Sequence, residues 1–285
     1  MKKSAARRMF TGSLGNRQTG ICGSVFAGKD SGKSSIVRIV DMFCFLTSNC
    51  FRENTSKKWE MIPDNHMIEE LRLRFPTSCR AVFVCSDPYC EDNDYYLNNT
   101  RDALEREDFR FERFIVLDAR NADQAEDIVR ESNFLLLAGG HVPTQNRFFA
   151  EIKLRRLLKG YEGVIIGISA GSMNSADVVY AHPELDGEAL DPKYKRFLNG
   201  LGLTKTMILP HYDEIKDETL DGLRVIEDIA LPDSKGKTFY LISDGAYLFI
   251  ENGREEMRGE AYMARDGIIT RVLSTKTAGG RYGNY

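Results

Sequence analysis

The five residues Gly167-Ile168-Ser169-Ala170-Gly171 place a hydroxyl between two glycines, where an apolar run ends and a helix-like stretch begins. Small residues on both sides let the chain turn sharply, so a serine held there presents Oγ at the carboxyl end of a sheet. The start of the following helix favours negative charge developing beside it. The stretch reads as a nucleophile elbow with Ser169 as the nucleophile. Its plain alternative is a helix start whose small residues only pack closely.

A serine hydroxyl attacks a carbonyl only if a base takes its proton and a third group orients that base. Of the four histidines, His66 belongs to an amphipathic stretch and reads as a surface residue. His182 follows the elbow helix closely, and His141 lies in the loop after "LLLAGG", within reach of a substrate. His211 ends "TMILPHY", at the carboxyl tip of a predicted strand, where open parallel sheets bind ligands. His211 is therefore taken as the base. The orienting acid stays open among Asp177, Glu184, Asp186, Glu188 and Asp213. His182-Pro183-Glu184-Leu185-Asp186 has the composition of a metal-ligand cluster but no partners elsewhere, so it reads as a solvated loop, and neither metal nor cofactor is expected. Acyl transfer also needs N–H donors for the oxyanion. The Ala170 amide is one, and Gly139-Gly140 at another strand end supply a second.

The elements that must position these groups follow from hydrophobic periodicity. Strand-length apolar runs occur at 42–48, 81–86, 113–118, 134–140, 163–169 and 206–212. Between them, 67–75, 95–107, 122–131, 144–160 and 217–230 carry apolar residues at three- and four-residue spacing. Apolar strands alternating with amphipathic helices describe an α/β domain whose mainly parallel sheet is covered on both faces, a three-layer sandwich. The chain from 238 onward reads instead as a β-meander, with Asn252-Gly253 and Asp266-Gly267 as hairpin turns.

With 42% hydrophobic and 28% charged residues and a net charge of −3 over 285 residues, the composition is that of an ordinary globular chain. It gives no nucleic-acid or membrane surface. Residues 1–41 differ, with a net charge of +6, and mark a basic, flexible extension ahead of a domain at 42–275 and a tail at 276–285. The six cysteines include no Cys-x-x-Cys and read as free thiols of a reducing, cytoplasmic protein. Within the extension, "AGKDSGKSS" (27–35) fits a relaxed phosphate-binding loop through Ala27, Gly32, Lys33 and Ser34. Such a loop needs its own preceding strand and a long following helix. Neither has room before residue 42, so a nucleotide-binding role is set aside.

Taken together, the elbow, the Gly-Gly loop one strand earlier and the Pro-His-aromatic strand end resemble the peptidase E family of serine peptidases. These are aspartyl dipeptidases, with cyanophycinases as relatives, on a flavodoxin-like fold similar to class I glutamine amidotransferases. The resemblance spans roughly residues 42–270. It implies Ser169 as nucleophile and His211, within Leu209-Pro210-His211-Tyr212, as base. The family's third member lies fifteen residues after the serine, which implies Glu184. The Gly139–Asn146 loop departs from the family's Gly-Gly-Gly-Asn-Thr, so the glycines of the oxyanion site are kept and the pocket is altered. His141, Gln145, Asn146 and Arg147 become the candidate substrate contacts, Arg147 as a cation for an aspartyl side chain. The implied activity is a cofactor-independent dipeptidase or exopeptidase acting through an acyl-enzyme on short peptides, Asp-Xaa among them, as a monomer or homodimer. The alternative is a non-catalytic binding protein on the same fold.

Overall fold

The computed structural model describes residues 42–272. The basic segment 1–41, with its Ala27–Ser35 pattern, and the tail 276–285 lie outside the described residues.

The chain opens with β1 (Met42–Thr47) and a hairpin of β2 (Phe51–Glu53) and β3 (Trp59–Met61). It continues through α1 (Met67–Arg74), β4 (Cys79–Val84), α2 (Asn93–Arg106) and β5 (Phe111–Leu117). Next come α3 (Ala125–Glu131), β6 (Phe134–Leu137), α4 (Val142–Glu151) and α5 (Leu154–Leu157). The predicted helix over 144–160 is thus broken in two, at Lys153, which adopts a left-handed φ of 56°. After β7 (Gly163–Ile168) follow α6 (Ala170–Asn174) and a small pair, β8 (Val178–Tyr180) with β9 (Phe197–Asn199). Then come β10 (Met207–Leu209), α7 (Tyr212–Ile215), β11 (Thr219–Leu220) and β12 (Leu223–Arg224). A π-helical turn over Val225–Ala230 leads into α8 (Leu231–Asp233). The last strands are β13 (Thr238–Ile242), β14 (Tyr247–Glu251), β15 (Arg254–Arg258), β16 (Ala261–Arg265) and β17 (Ile268–Val272).

A seven-stranded sheet in the order β15-β14-β1-β7-β6-β4-β5 forms the centre. The five strands β1, β7, β6, β4 and β5 run parallel, and β14 and β15 add antiparallel on one side. The molecule is therefore α/β with a mainly parallel central sheet. The inner strands β4, β6 and β7 are buried along nearly their whole length, which is why they read as unbroken apolar runs rather than alternating ones. The edge strand β15, Arg-Glu-Glu-Met-Arg, carries charge where a free edge would invite pairing with another chain.

The C-terminal strands do not form a single meander. After β13, the chain crosses into the main sheet for β14 and β15, then returns for β16 and β17. A second, four-stranded sheet results, in the order β10-β13-β16-β17, with β10 and β13 parallel. Both expected hairpin turns are present, with positive φ at Asn252 and Gly253 and at Asp266 and Gly267. The helix expected over 217–230 is replaced in its first half by the β11–β12 hairpin, because Asp221-Gly222 forms the same kind of turn (φ 54° and 81°). Helix α6 contacts both β7 of the central sheet and β10 of the second sheet. Its Ala170 and Met173 join the core of the second sheet, where Tyr180 stacks on Phe239 at 4.1 Å. The elbow thus lies where the two sheets meet.

Candidate active site

Ser169 sits between β7 and α6 with φ 48° and ψ −110°, a strained backbone for a residue with a side chain. The surroundings hold it there. Its amide donates to the carbonyls of Thr47 (3.1 Å) and Ser48 (2.9 Å), and its carbonyl accepts from the Met173 amide at 3.0 Å. Both flanking glycines are required by space. A Cβ on Gly167 would stand 2.9 Å from the Ser172 nitrogen, and one on Gly171 would overlap the Leu137 carbonyl oxygen. The Gly-x-Ser-x-Gly spacing is what lets α6 start directly against β6 and β7.

The candidate base and the carboxylate that faces it come from the second sheet. In the parallel pair β10–β13, Leu209 lies opposite Leu241. His211 follows two residues after Leu209 and Asp244 three after Leu241, so the register alone delivers both to the same end. His211 takes a left-handed φ of 58°, and its amide donates to Ser48 Oγ at 2.8 Å. Its Nε2 lies 2.9 Å from Ser169 Oγ, and its Nδ1 lies 2.9 Å from Asp244 Oδ1. Ser48 Oγ in turn donates to the same Asp244 oxygen at 2.7 Å. One serine at the end of β1 therefore ties the base and its acid together.

Burial pushes the Asp244 carboxyl up, but hydrogen bonds from His211, Ser48 and Asn49, with the His211 charge, outweigh it and hold the group below the usual carboxylate range. An ionised carboxylate only accepts hydrogen bonds. The proton between the two therefore sits on Nδ1, leaving the Nε2 lone pair to accept from the Ser169 hydroxyl. That is the tautomer a general base needs.

The acid facing the imidazole Nδ1 is Asp244, and this corrects the expectation of Glu184. The Glu184 carboxylate instead lies 3.8 Å from His182 Nδ1, and its amide donates to Glu188. Of the other rivals, Asp177 pairs with Arg155 at 2.6 Å, Asp213 with Lys216 at 3.0 Å and Glu188 with His141 at 2.9 Å, and Asp186 is exposed. A signal for Asp244 was present in "TFYLISDG", an apolar run that ends in a polar strand tip like the others. Reading the region as a meander hid the strand's parallel partner.

Gly139 and Gly140 follow β6, and Leu137 pairs with Gly167 across the parallel β6–β7 ladder. The register sets these glycines beside Ser169 and Ala170. Ala170 begins α6, so its amide has no acceptor within the helix. Gly140 has φ 149°, and a Cβ there would overlap the Ser86 hydroxyl. The expected substrate contacts divide into separate roles. Gln145 is fully buried and donates to the Ala138 carbonyl at 2.6 Å while accepting from Asn174 at 3.0 Å, so it braces the glycine loop rather than facing a substrate. Asn146 donates to Asn174 and to the Asn199 carbonyl, another bracing role. Arg147 is exposed, with its guanidinium 3.4 Å from Thr144. His141 alone of the four lines a cavity beside the elbow, with Nδ1 2.8 Å from Thr144 Oγ1 and Nε2 on Glu188. Among the described residues there is no group of three metal-ligating side chains, and no helix is long and apolar enough to cross a membrane.

A family model matches residues 55–257, most of the chain, a span that includes Gly139, Gly140, Ser169, His211 and Asp244. The chain belongs to peptidase family S51. Membership in S51, the peptidase E family, supports the coarse reading of a serine peptidase. No curated protein sequence matches this S51 chain. Among solved structures it is similar to a peptidase from an acI-B1 Actinobacterium, at 12% identity and a TM-score of 0.53, covering 83% of this chain and 95% of that one. It is also similar to a Listeria monocytogenes EGD-e protein assigned to peptidase E, at 14% identity and a TM-score of 0.50, covering 82% and 98%. At such identities these likenesses speak to the fold alone, an α/β domain with a mainly parallel sheet.

Proposed function

We propose that this S51 protein hydrolyses short peptides, as a dipeptidase or other exopeptidase, through an acyl-enzyme on Ser169. The observation that carries the proposal is the unbroken chain from Ser169 Oγ through the His211 imidazole to Asp244, with both links at 2.9 Å. In the first step Ser169 Oγ attacks the peptide carbonyl carbon as its proton passes to His211 Nε2. Asp244 offsets the charge of the imidazolium so formed. The carbonyl oxygen becomes an oxyanion facing the amides of Ala170 and of Gly139 or Gly140, each such donor contributing ~3 kcal/mol. Collapse breaks the C–N bond, and His211 returns its proton to the leaving amine. Water then repeats the sequence on the ester, with His211 taking its proton and giving it to Ser169 Oγ. No step calls on a metal or cofactor. The scaffold proposed for this chemistry is amidotransferase-like.

The test is hydrolysis of a dipeptide panel that varies the N-terminal residue, read by mass spectrometry. The wild-type protein is expected to cleave members of the panel, and Ser169→Ala to lose at least about 10³-fold in kcat/KM. Cleavage that persists undiminished in Ser169→Ala would assign the activity elsewhere and sink the proposal.

A further inference from the structure

Beside the elbow, at the carboxyl ends of the central strands, lies a cavity of about 120 Å³. Its lining includes Phe51 and Trp59 from the β2–β3 hairpin, Phe83 from β4 and Tyr96 from α2, together with Ile168 and Gly140. Trp59 meets Phe51 at 6.3 Å and Tyr96 at 6.2 Å between ring centres, so these three rings form one continuous face. An apolar cavity of ~150 Å³ accommodates benzene, and this one is close to that size. The described lining contains no Asp, Glu, Lys or Arg, and its polar side chains Asn49, Ser86, Asn93 and Thr100 are uncharged. Its one imidazole, His141, already has both ring nitrogens engaged, by Thr144 and Glu188.

Resting on the hydrolase reading above, we infer that this cavity holds the side chain of the residue whose carbonyl Ser169 attacks, and that this side chain is aromatic. The acyl side follows from connectivity. Ile168 immediately precedes the nucleophile, and Gly140 belongs to the loop placed for the oxyanion. A substituent on the carbon next to the attacked carbonyl therefore enters between them. The aromatic choice follows from size and charge. A phenyl ring fills the space and removes its own surface from water. A carboxylate would be buried there with no cation to pair with. Arg147, the candidate cation for an aspartyl side chain, is not among the lining residues.

Two measurements test the inference without altering the cavity. In the first, wild-type kcat/KM is compared for Phe-Ala, Asp-Ala, Ala-Ala and Ala-Phe. Phe-Ala is expected to exceed Asp-Ala by about 100-fold, and Ala-Phe to show no such gain over Ala-Ala. In the second, the Ser169→Ala protein is titrated with the same dipeptides. Trp59 is the only tryptophan of the chain and lines the cavity, so Phe-Ala should shift its emission saturably and Asp-Ala should not, with calorimetry giving the same order. Cys90→Phe, which places a ring into the cavity, is expected to lower kcat/KM for Phe-Ala more than for Ala-Ala. Ser169-dependent cleavage of Asp-Ala with no binding or cleavage of Phe-Ala would overturn the inference and leave the hydrolase reading standing. Saturable Phe-Ala binding with no hydrolysis of any member would uphold the pocket and remove the hydrolase reading. If no dipeptide bound or reacted, both would fall.

Discussion

Replacing Asp244 by Asn keeps the shape of the side chain and removes its charge. In the native site one carboxylate oxygen accepts from both His211 Nδ1–H and Ser48 Oγ–H, and Asn49 adds a further hydrogen bond. An amide has a single acceptor oxygen. If that oxygen faces His211 and Ser48, the –NH₂ is turned toward a donor. If the amide flips, its N–H faces Nδ1 and drives the imidazole proton to Nε2, where it blocks acceptance from Ser169. In either orientation the imidazolium loses its counter-charge. The expected loss is ~10³- to 10⁴-fold in kcat, or ~4–5.5 kcal/mol of transition-state stabilisation. By contrast, Glu184→Gln acts on a group placed against His182 and is expected to change kcat/KM by less than about threefold. Both variants are to be assayed with an activated ester and with the best dipeptide, and their thermal unfolding followed to show that the fold survives. A result in which Asp244→Asn stayed within tenfold of wild type while Glu184→Gln lost 10³-fold would refute the assignment of the orienting acid.

Three further outcomes follow from the structure. Gly171→Ala forces a Cβ onto the Leu137 carbonyl oxygen, so urea unfolding should show a loss of about 2–3 kcal/mol, and a neutral result would contradict the close packing of α6 on β6. Despite its burial, the folded Asp244 carboxyl is held below its ordinary value by His211, Ser48 and Asn49, so just under that ordinary value the unfolded chain binds more protons. Its contribution to stability is complete above the ordinary carboxylate range and is lost as pH falls through the depressed folded value. Asp244→Asn should flatten that part of a stability-against-pH curve, and an unchanged slope would count against the depressed carboxyl. Burial pushes Cys44, Cys50 and Cys79 up to about 12 and Cys85 higher still. Since the thiolate is the reactive form, the half-buried Cys90 at the cavity should be the first of these five to react with iodoacetamide at pH 8 in peptide mapping. Modification of the other four ahead of it would contradict the burial described.

The sequence revealed most where a local pattern has a local cause. The inner strands are buried on both faces, so their apolar runs stand out, and the elbow announces itself in five consecutive residues even though Gly171 is fixed by Leu137 of a neighbouring strand. His211 was legible for a related reason, since a Pro-His at the tip of an apolar run has few other uses. Asp244 was not, because its role depends on β10 pairing in parallel with β13, a non-local fact that the meander reading concealed. The same applies to Gln145. In the sequence it is a polar residue next to a glycine loop, and only its burial between Ala138 and Asn174 shows it to be a brace. The Asp221-Gly222 turn is a different case. Its signal is local, but apolar residues at helical spacing run through it and mask the turn.

The central claim is that His211, oriented by Asp244, activates Ser169. It is tested most directly by incubating the folded protein with a fluorophosphonate and locating the adduct by peptide mass spectrometry. A single stoichiometric adduct on Ser169 is expected, formed at least about 10²-fold more slowly in His211→Ala and abolished by heat denaturation before labelling. An unlabelled Ser169, or one labelled equally fast without the imidazole, would contradict it.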